Sequence, residues 1–493
     1  MIDFNKLDSY KENNRIEVKK ALGGLPRSIW ETYSSFANTQ GGVILLGVGE
    51  RDDHSFEVIG LPDPEKLMKD FWDGVNNRTI VSVNILSNRQ VEIHEVDGHR
   101  IVSISVPKAD RRDRPVYLKE NPFGGTYRRN GEGDYRCTRE EVQTMIRDQS
   151  DRSQDMLVLA EMALDVFDYD TVHRYRNRMK IHRPGHVWED YDDEQFLYRL
   201  GAVGRSEDGA MHPTAAGLLM FGYDYEIVRE FPNYFLDYQE RTDESTRWTD
   251  RLNSGTGDWS GNLYDFYFRV YPKIVQDVKV PFKLKDGRDR VDDTPIHEAL
   301  REALANCLIN ADYHGRQGVV VIRERNRITL SNPGSFRIDI QDALVGGVSD
   351  PRNATLIKMF NLINVGERSG SGIPKIFAAW EGQSWRRPEL RESFEPDRTC
   401  LVLELVSEKP SIKTADKKPS IKTGDKKVTK KTQGHRDKIM ALIDKRGEVS
   451  VPEICQELGL QGTQARTILR GMAAEALVEA IGENKNRRYR AKK

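Results

Sequence analysis

The residues best suited to chemistry lie in REALANCLINADY, residues 301–313. Glu302 and Asn306 are four apart, so a helix places them on one face, one turn from each other. A carboxylate one turn before an amide suits nucleoside triphosphate chemistry. The Glu can orient or deprotonate a water, and the Asn amide oxygen can bind a Mg²⁺ that carries phosphates. Downstream, Gly366-Glu-Arg-Ser-Gly370-Ser-Gly372-Ile-Pro374 opens a predicted helix with Pro374 in its first turn. Glycines ahead of a helix N-terminus let the backbone close around phosphate. Between these segments VVVIRERNRITLS reads as a strand leading into Asn332-Pro333-Gly334. An ExxxN pair by itself is common on surface helices, so a fold that binds no nucleotide is the alternative.

A second set of candidates is cationic. Residues 435–446 carry Ile439, Met440 and Ile443 as an apolar stripe, a helix that ends at Gly447. Ser450 is placed to cap a second helix with Pro452 in its first turn and Gly459 at its end. Thr463 is placed to cap a third helix through Leu477, with Ala465, Ile468, Leu469 and Met472 on one face and Arg466 and Arg470 on another. LVEAIG, a turn at 483–486 and RRYRAKK follow as a predicted hairpin. Three helices and a hairpin make a winged helix-turn-helix. Its third helix would enter the major groove, and Lys485, Arg487, Arg488 and Arg490 would meet phosphates. A small helical oligomerisation domain with a basic edge is the alternative.

At the other end, Ile16 and Val18 alternate with Arg15, Glu17 and Lys19, a half-buried strand with Glu17 and Lys19 on one exposed face. RSIWETYSSFAN follows as a helix stopped by Gly41-Gly42, and VILLGV (43–48) is apolar enough for a buried strand ending beside Glu50. Arg111, Arg112, Arg114, Arg128 and Arg129 form a cationic cluster for nucleic acid, with Tyr117 and Tyr127 nearby to stack on bases.

Around these residues the 493-residue chain predicts an α/β and α+β multidomain protein. The divisions fall at 1–150, at 151–290 as a connecting α+β region, at 291–406, at 407–433, and at 434–493. Residues 409–432 hold the duplication KPSIKTADK, KPSIKTGDK, too lysine-rich and apolar-poor to fold, hence a disordered tether. The net charge of −1 hides an asymmetry. Residues 409–493 hold 21 Lys and Arg against 10 Asp and Glu, a net of +11, while the rest nets −12. Such a tail steers association with polyanions. No apolar run approaches the ~20 residues that span a bilayer, and no secretory signal is visible. The four cysteines form no CxxC pair, against zinc or a disulfide framework and in favour of a reducing cytoplasm.

Residues 12–20 (ENNRIEVKK), 36–50 (FANTQGGVILLGVGE), 58–60 (VIG), 114–117 (RPVY) and 124–133 (GGTYRRNGEG) together resemble the Schlafen AlbA-type domain over most of residues 10–145. In nuclease-active members three acids hold a metal that activates attack on an RNA phosphodiester. The resemblance places Glu12, Glu17 and Glu50 there as Mg²⁺ or Mn²⁺ ligands, Glu50 replacing the usual Asp, with Lys19 stabilising developing charge. An ion pair between Glu17 and Lys19, with Glu12 and Glu50 solvated, is the alternative.

Residues 301–313, 328–336 (ITLSNPGSF), 349–360 (SDPRNATLIKMF) and 366–376 (GERSGSGIPKI) resemble the divergent GHKL-type ATPase module, the Bergerat fold of gyrase, MutL and histidine kinases, in a variant that accompanies Schlafen-type domains in bacterial regulators. The resemblance implies a Bergerat-like α/β sandwich with Glu302 as general base and Asn306 as Mg²⁺ ligand. Asn332 and Gly334 would stand at the adenine-reading Asp-x-Gly, and Gly370 and Gly372 at the phosphates. Asn332 in place of Asp, and Asn310-Ala311 in place of His-Arg, weaken the expectation of hydrolysis more than that of binding. PTAAGLLMFG (213–222) and FPNYFLDYQERTD (231–243) match the connecting region of these regulators, with no chemistry assigned.

Three functions follow as expectations. The first is a homo-oligomeric, ATP-binding, DNA-binding transcriptional regulator. The second is a metal-dependent endoribonuclease acting on tRNA or other RNA, in antiviral defence. The third is an assembly scaffold without catalysis.

Overall fold

The computed structural model describes residues 10, 13–207, 209–242, 247–276, 278, 284–285, 289–290, 294–366, 370–394, 397–406, 430–458, 465, 468–469, 472, 477–481 and 488–491. It divides the chain into two compact units, Met1–Pro410 and Ser411–Lys493.

The larger unit opens with β1 (Ile16–Lys19), α1 (Ile29–Asn38) and β2 (Gly42–Leu46). The helix joins two parallel strands, as a parallel pair requires. Then come β3 (Val48–Glu50), β4 (Phe56–Val58), α2 (Pro64–Val75), β5 (Val91–Val96) and β6 (His99–Val106). The main sheet runs β1-β2-β6-β5. Ile44 and Leu46 enter one core cluster and Leu45 another, so β2 is apolar throughout because the sheet is covered on both faces. The double glycine at the start of β2 is a steric necessity. Gly41 has φ +72°, and a Cβ on Gly42 would sit 2.7 Å from the Phe36 ring.

The unit continues with α3 (Pro122–Gly125), the hairpin β7 (Tyr127–Asn130) and β8 (Gly133–Arg136), and α4 (Arg139–Gln149). Asn38, at the end of α1, binds these segments together. Its Nδ2 donates to the carbonyls of Val116 (2.8 Å) and Tyr127 (3.0 Å), and its Oδ1 accepts from Val116 N (2.8 Å). Nδ2 also reaches Ser34 Oγ at 3.2 Å, so the amide of this residue of the FANTQGG motif is spent within the fold and holds it.

Next come α5 (Tyr169–His182), α6 (Asp193–Leu200), β9 (Val203–Arg205), β10 (Met211–Pro213), α7 (Ala215–Phe221), α8 (Asp224–Glu230), β11 (Leu236–Arg241), β12 (Asp250–Asn253) and α9 (Leu263–Val275). Two short strands, β13 (Leu284–Lys285) and β14 (Asp289–Arg290), form a small hairpin. The final part holds α10 (Pro295–Ile309), β15 (Val319–Glu324), β16 (Arg327–Pro333), α11 (Ile340–Val345), α12 (Ala354–Leu362), α13 (Gly372–Gly382), β17 (Glu389–Phe394) and β18 (Asp397–Glu404). The stretch VVVIRERNRITLS is therefore a hairpin and not one strand, because the polar Arg325-Asn326 turns the chain. The six-stranded sheet runs β12-β11-β15-β16-β18-β17. Two of its strands come from the connecting region, and β11 pairs in parallel with β15. One continuous core joins this sheet to α9, α10, α12 and α13 and to α5 and α7.

The smaller unit has α14 (Lys430–Arg446), β19 (Val449–Ser450), α15 (Val451–Leu458), β20 (Val478–Ile481) and β21 (Arg488–Ala491), the strands ordered β19-β21-β20. Helix α14 begins four residues before the expected boundary at 434. Ala465, Ile468, Leu469 and Met472 are helical. Ile439, Ile443, Val449, Ile454, Ala465, Leu469, Met472 and Val478 form its core. At the start of α15 both bonds run from Ser450 to Glu453, which accepts from Ser450 N (2.7 Å) and Ser450 Oγ (2.8 Å). Thr463, Gly459 and the duplicated segment lie outside the described residues.

Candidate functional site

Helix α10 and helix α13 pack together and bring the first candidate pair to the wall of a cleft. Glu302 and Asn306 both line it, with Asn332, Gly370, Gly372 and Thr399. The cleft encloses about 1030 Å³, open solvent included, and its floor is apolar, with Leu330, Ile357, Leu390 and Leu401. An apolar concavity with a few convergent polar groups suits a base or other flat ligand.

Glu302 is 9 % exposed, and its Oε1 accepts from Asn306 Nδ2 at 3.1 Å. That bond fixes the amide and leaves Asn306 Oδ1 as the acceptor a cation would use. A Cβ on Gly372 would lie 2.1 Å from Glu302 Oε1 and 2.9 Å from Asn306 Nδ2. Only glycine lets the first turn of α13 approach the acid–amide pair this closely. The residues present thus fit a Mg²⁺-bound nucleotide: an acid, a cation acceptor, and backbone N–H groups at a helix N-terminus. Gly370 packs its backbone on the 346–348 loop, where Gly347 N donates to Gly370 O at 3.2 Å.

Asn332 is buried, with its Nδ2 turned to its neighbour's carbonyl, Pro333 O, at 3.2 Å. Gly334 has φ +94° and rests on the Arg352 guanidinium, its imagined Cβ 2.9 Å from Arg352 Nη2. Helix α10 ends at Ile309, so Asn310 and Ala311 lie in a loop, and Asn310 O accepts from Arg352 Nε at 3.2 Å.

The second candidate pair is shut in. Lys19 Nζ donates to Glu17 Oε1 at 2.8 Å, each side chain 13 % exposed. Arg129, brought over by β7, bonds Glu17 Oε2 at 2.9 Å and Asp134 at 3.0 Å. The face expected to be exposed is thus covered by an arginine from β7. The Glu17 carboxylate already has two cations, and a metal would have to displace one. Glu50 pairs with His54 Nδ1 at 2.6 Å at the exposed end of β3. Among the described residues no three acidic, histidine or cysteine side chains are grouped for a metal. Glu12 lies outside the described residues.

The cationic cluster separates by burial. Arg112 is exposed and pairs with Asp151 at 3.2 Å. Arg128 pairs with Glu141 at 3.0 Å. Arg111, Arg114 and Arg129 are buried, which sets them within the fold and away from an external polyanion. Arg111 Nε bonds Asp350 at 2.5 Å and its Nη1 donates to Asp148 O at 2.8 Å. Tyr127 is likewise buried. In the smaller unit Arg488 is exposed but bonded to Glu453 at 3.1 Å. Arg466, Arg470, Lys485 and Arg487 lie outside the described residues.

A network that spacing alone does not reveal ties the N-terminal elements to the cleft wall. Arg352 pairs with Asp148 and donates to Ser335 O at 2.9 Å. Arg147 reaches Asp312 at 3.2 Å, and Lys108 reaches Glu392 at 3.2 Å. Burial alone would raise the Asp312 carboxyl, but Arg352 and Arg147 hold it below the usual range. Burial pushes the Lys108 ammonium down despite Glu392. Asp350 and Arg352 belong to SDPRNATLIKMF, so motif membership was the one available signal for them.

A mixed α/β chain with a buried two-faced sheet and an apolar cleft walled by an acid–amide pair is the class this geometry defines. Comparison with known families agrees. Residues 12–138 match the family described as "Schlafen, AlbA_2", and residues 317–403 match "Putative ATP-dependent DNA helicase recG C-terminal". The chain therefore carries a Schlafen AlbA_2 domain and an ATPase-like domain of the second family, whose matched segment begins after Glu302 and Asn306. Residues 143–237 match a domain of unknown function, DUF8451. Two solved structures are similar. The DIP2311 protein from Corynebacterium diphtheriae has 16 % identity over 97 % of this chain and 95 % of its own, with a TM-score of 0.39. The N-terminal domain of a "Putative ATP-dependent DNA Helicase RecG-related Protein" from Nitrosomonas europaea has 31 % identity over 28 % of this chain and 95 % of its own, with a TM-score of 0.22. No curated protein matches the chain. Among the described residues no helix is long and apolar enough to cross a membrane.

Proposed function

We propose that this chain is a nucleic-acid-associated, ATP-binding regulator. The central cleft takes Mg-ATP, and the N-terminal domain and C-terminal unit contact nucleic acid. The observation that carries the reading is Glu302 bonded to Asn306 at 3.1 Å on a cleft wall, under the glycine that opens α13. When bound, Mg²⁺ would neutralise phosphate charge. This chain's own residues would do the rest: Asn306 Oδ1 offers a cation ligand, the α13 N-terminus would hold phosphate, Glu302 could hold a water, and the apolar floor would take the base.

Isothermal titration with Mg-ATP tests this. Asn306→Ala should weaken affinity about tenfold, and an unchanged affinity would sink the assignment. For the C-terminal unit, we assign a winged helix from its core and its β19-β21-β20 sheet. Deleting residues 409–493 should lower DNA affinity and flatten its salt dependence. An unaltered salt slope removes this part.

We assign the N-terminal domain to binding and not to cleavage, because Glu17 is bonded to both Lys19 and Arg129. The endoribonuclease alternative has a direct test. tRNA incubated with the protein and Mn²⁺ should stay intact, and cleavage that Glu17→Ala abolishes would reverse this assignment.

A further inference from the structure

A second, smaller chamber lies behind the wall of the cleft, where the N-terminal elements meet the end of β16. Arg111, Arg114, Arg128, Asp148, Ser335 and Asp397 line it. The space open to the centre of a water is about 40 Å³, against about 140 Å³ in the cleft, room for a few waters or one tetrahedral ion.

Most charges around it are matched. Arg128 has Glu141, Arg111 has Asp350, and Asp148 has Arg352. Two groups are not matched. Arg114 is 5 % exposed, its Nε has no hydrogen-bond partner, and among the described residues its guanidinium forms no ion pair. Asp397 Oδ1 is likewise buried without a partner. Burial, reinforced by Glu392, Asp312 and Asp148 against Arg352, pushes the Asp397 carboxyl up to about 7. A buried guanidinium N–H and a buried carboxylate oxygen left unsatisfied both cost stability.

A donor fork and a lone acceptor lining one chamber complement a tetrahedral oxyanion that keeps one hydroxyl. Hydrogen phosphate is such an ion at neutral and alkaline pH; sulfate has no proton to give. We propose that this chamber is an inorganic phosphate site, in which Arg114 holds the anionic oxygens and Asp397 accepts a hydrogen bond from the P–OH, so that phosphate is selected over sulfate. Ser335 lines both this chamber and the cleft, which puts the ion directly behind the nucleotide wall. A phosphate monoester offers the same chemistry, but the chamber has no room for its sugar.

The test is isothermal titration of the full, nucleotide-free chain at pH 8, where Asp397 is ionised, with sodium phosphate, sodium sulfate and ribose 5-phosphate. Phosphate should bind, with sulfate and ribose 5-phosphate weaker by about tenfold or more. Arg114→Gln should weaken phosphate by about tenfold. Asp397→Asn, nearly the same shape, should bring phosphate and sulfate to similar affinities, and it keeps the test decisive if the Arg114 variant fails to fold. Four results would each overturn the proposal. These are no phosphate binding, sulfate bound as tightly as phosphate by the unaltered chain, ribose 5-phosphate bound as tightly as phosphate, or phosphate binding untouched by either substitution.

Discussion

Glu302 with Asn306 and Glu17 with Lys19 are both polar pairs on one face of a single element, and in each the partners are bonded to each other, at 3.1 Å and 2.8 Å. Their surroundings separate them. The α10 pair meets an apolar cleft and the backbone of a glycine. The β1 pair meets Arg129, which bonds Glu17 and Asp134 together. The same kind of spacing thus gives a pair that lines a cleft in one place and an ion-pair knot in the other. What decides is the residue supplied by a distant segment: Gly372 in the first case, Arg129 in the second.

The largest effect should come from Arg352, which serves the cleft wall and the N-terminal elements alike. Arg352→Ala takes from buried Asp148 its ion-pair partner and leaves Asp312 with Arg147 alone, and should cost about 3–5 kcal/mol, read from the urea midpoint. A loss below about 1 kcal/mol would mean that the two regions are not held together by this network. Arg129→Gln should cost about 2–3 kcal/mol, since Lys19 still partners Glu17. If urea unfolding shows no loss, Glu17 is not confined as described and the contrast between the two pairs fails.

Gly372→Ala sharpens the other side. Its methyl would collide with Glu302 Oε1, so Mg-ATP affinity should fall about tenfold in a titration, while the helical residue keeps the fold. Asp397→Asn should act through pH. The Asp397 carboxyl is raised to about 7 in the fold, so between about pH 4 and 7 the folded chain holds a proton that the unfolded chain releases. Stability from this group is therefore lost as pH rises across that window. The variant should melt higher than the unaltered protein at pH 8 and lose that advantage near pH 4; equal melting curves at both pH values would remove the assignment. Smallest is Arg112→Ala. Its exposed ion pair with Asp151 should be worth within about 0.5 kcal/mol, whereas the salt slope of nucleic-acid binding should fall by about 1 if Arg112 meets a phosphate.

Local periodicity was legible because one turn of helix or two residues of strand decide it. The i, i+4 spacing of Glu302 and Asn306, the apolar run of β2, the double glycine at its start and the stripe of α14 all follow from the chain's immediate neighbours. The hairpin within VVVIRERNRITLS was hidden because its turn, Arg325-Asn326, lacks glycine and proline. The arginine cluster was legible as charge but not as burial. Arg111 and Arg129 look like a surface for phosphates until Asp350 and Asp134 come alongside, and Arg114 until the fold buries it. Asn38 sat in a recognisable motif, yet only the fold reveals that its amide is spent on Val116 and Tyr127.

The parallel pairing of β11 with β15 has a practical side. Six residue pairs, from Leu236 with Val319 to Arg241 with Glu324, stitch the region before residue 290 into the sheet of the cleft. A fragment starting at 291 would leave the β15 edge bare, a row of unpaired backbone donors and acceptors beside buried valines. Such a piece should form intermolecular sheets before it shows any nucleotide affinity. During synthesis, likewise, β11 leaves the ribosome well before the strand that completes it. That long wait, rather than any weakness of the finished fold, is where this protein is most exposed to aggregation.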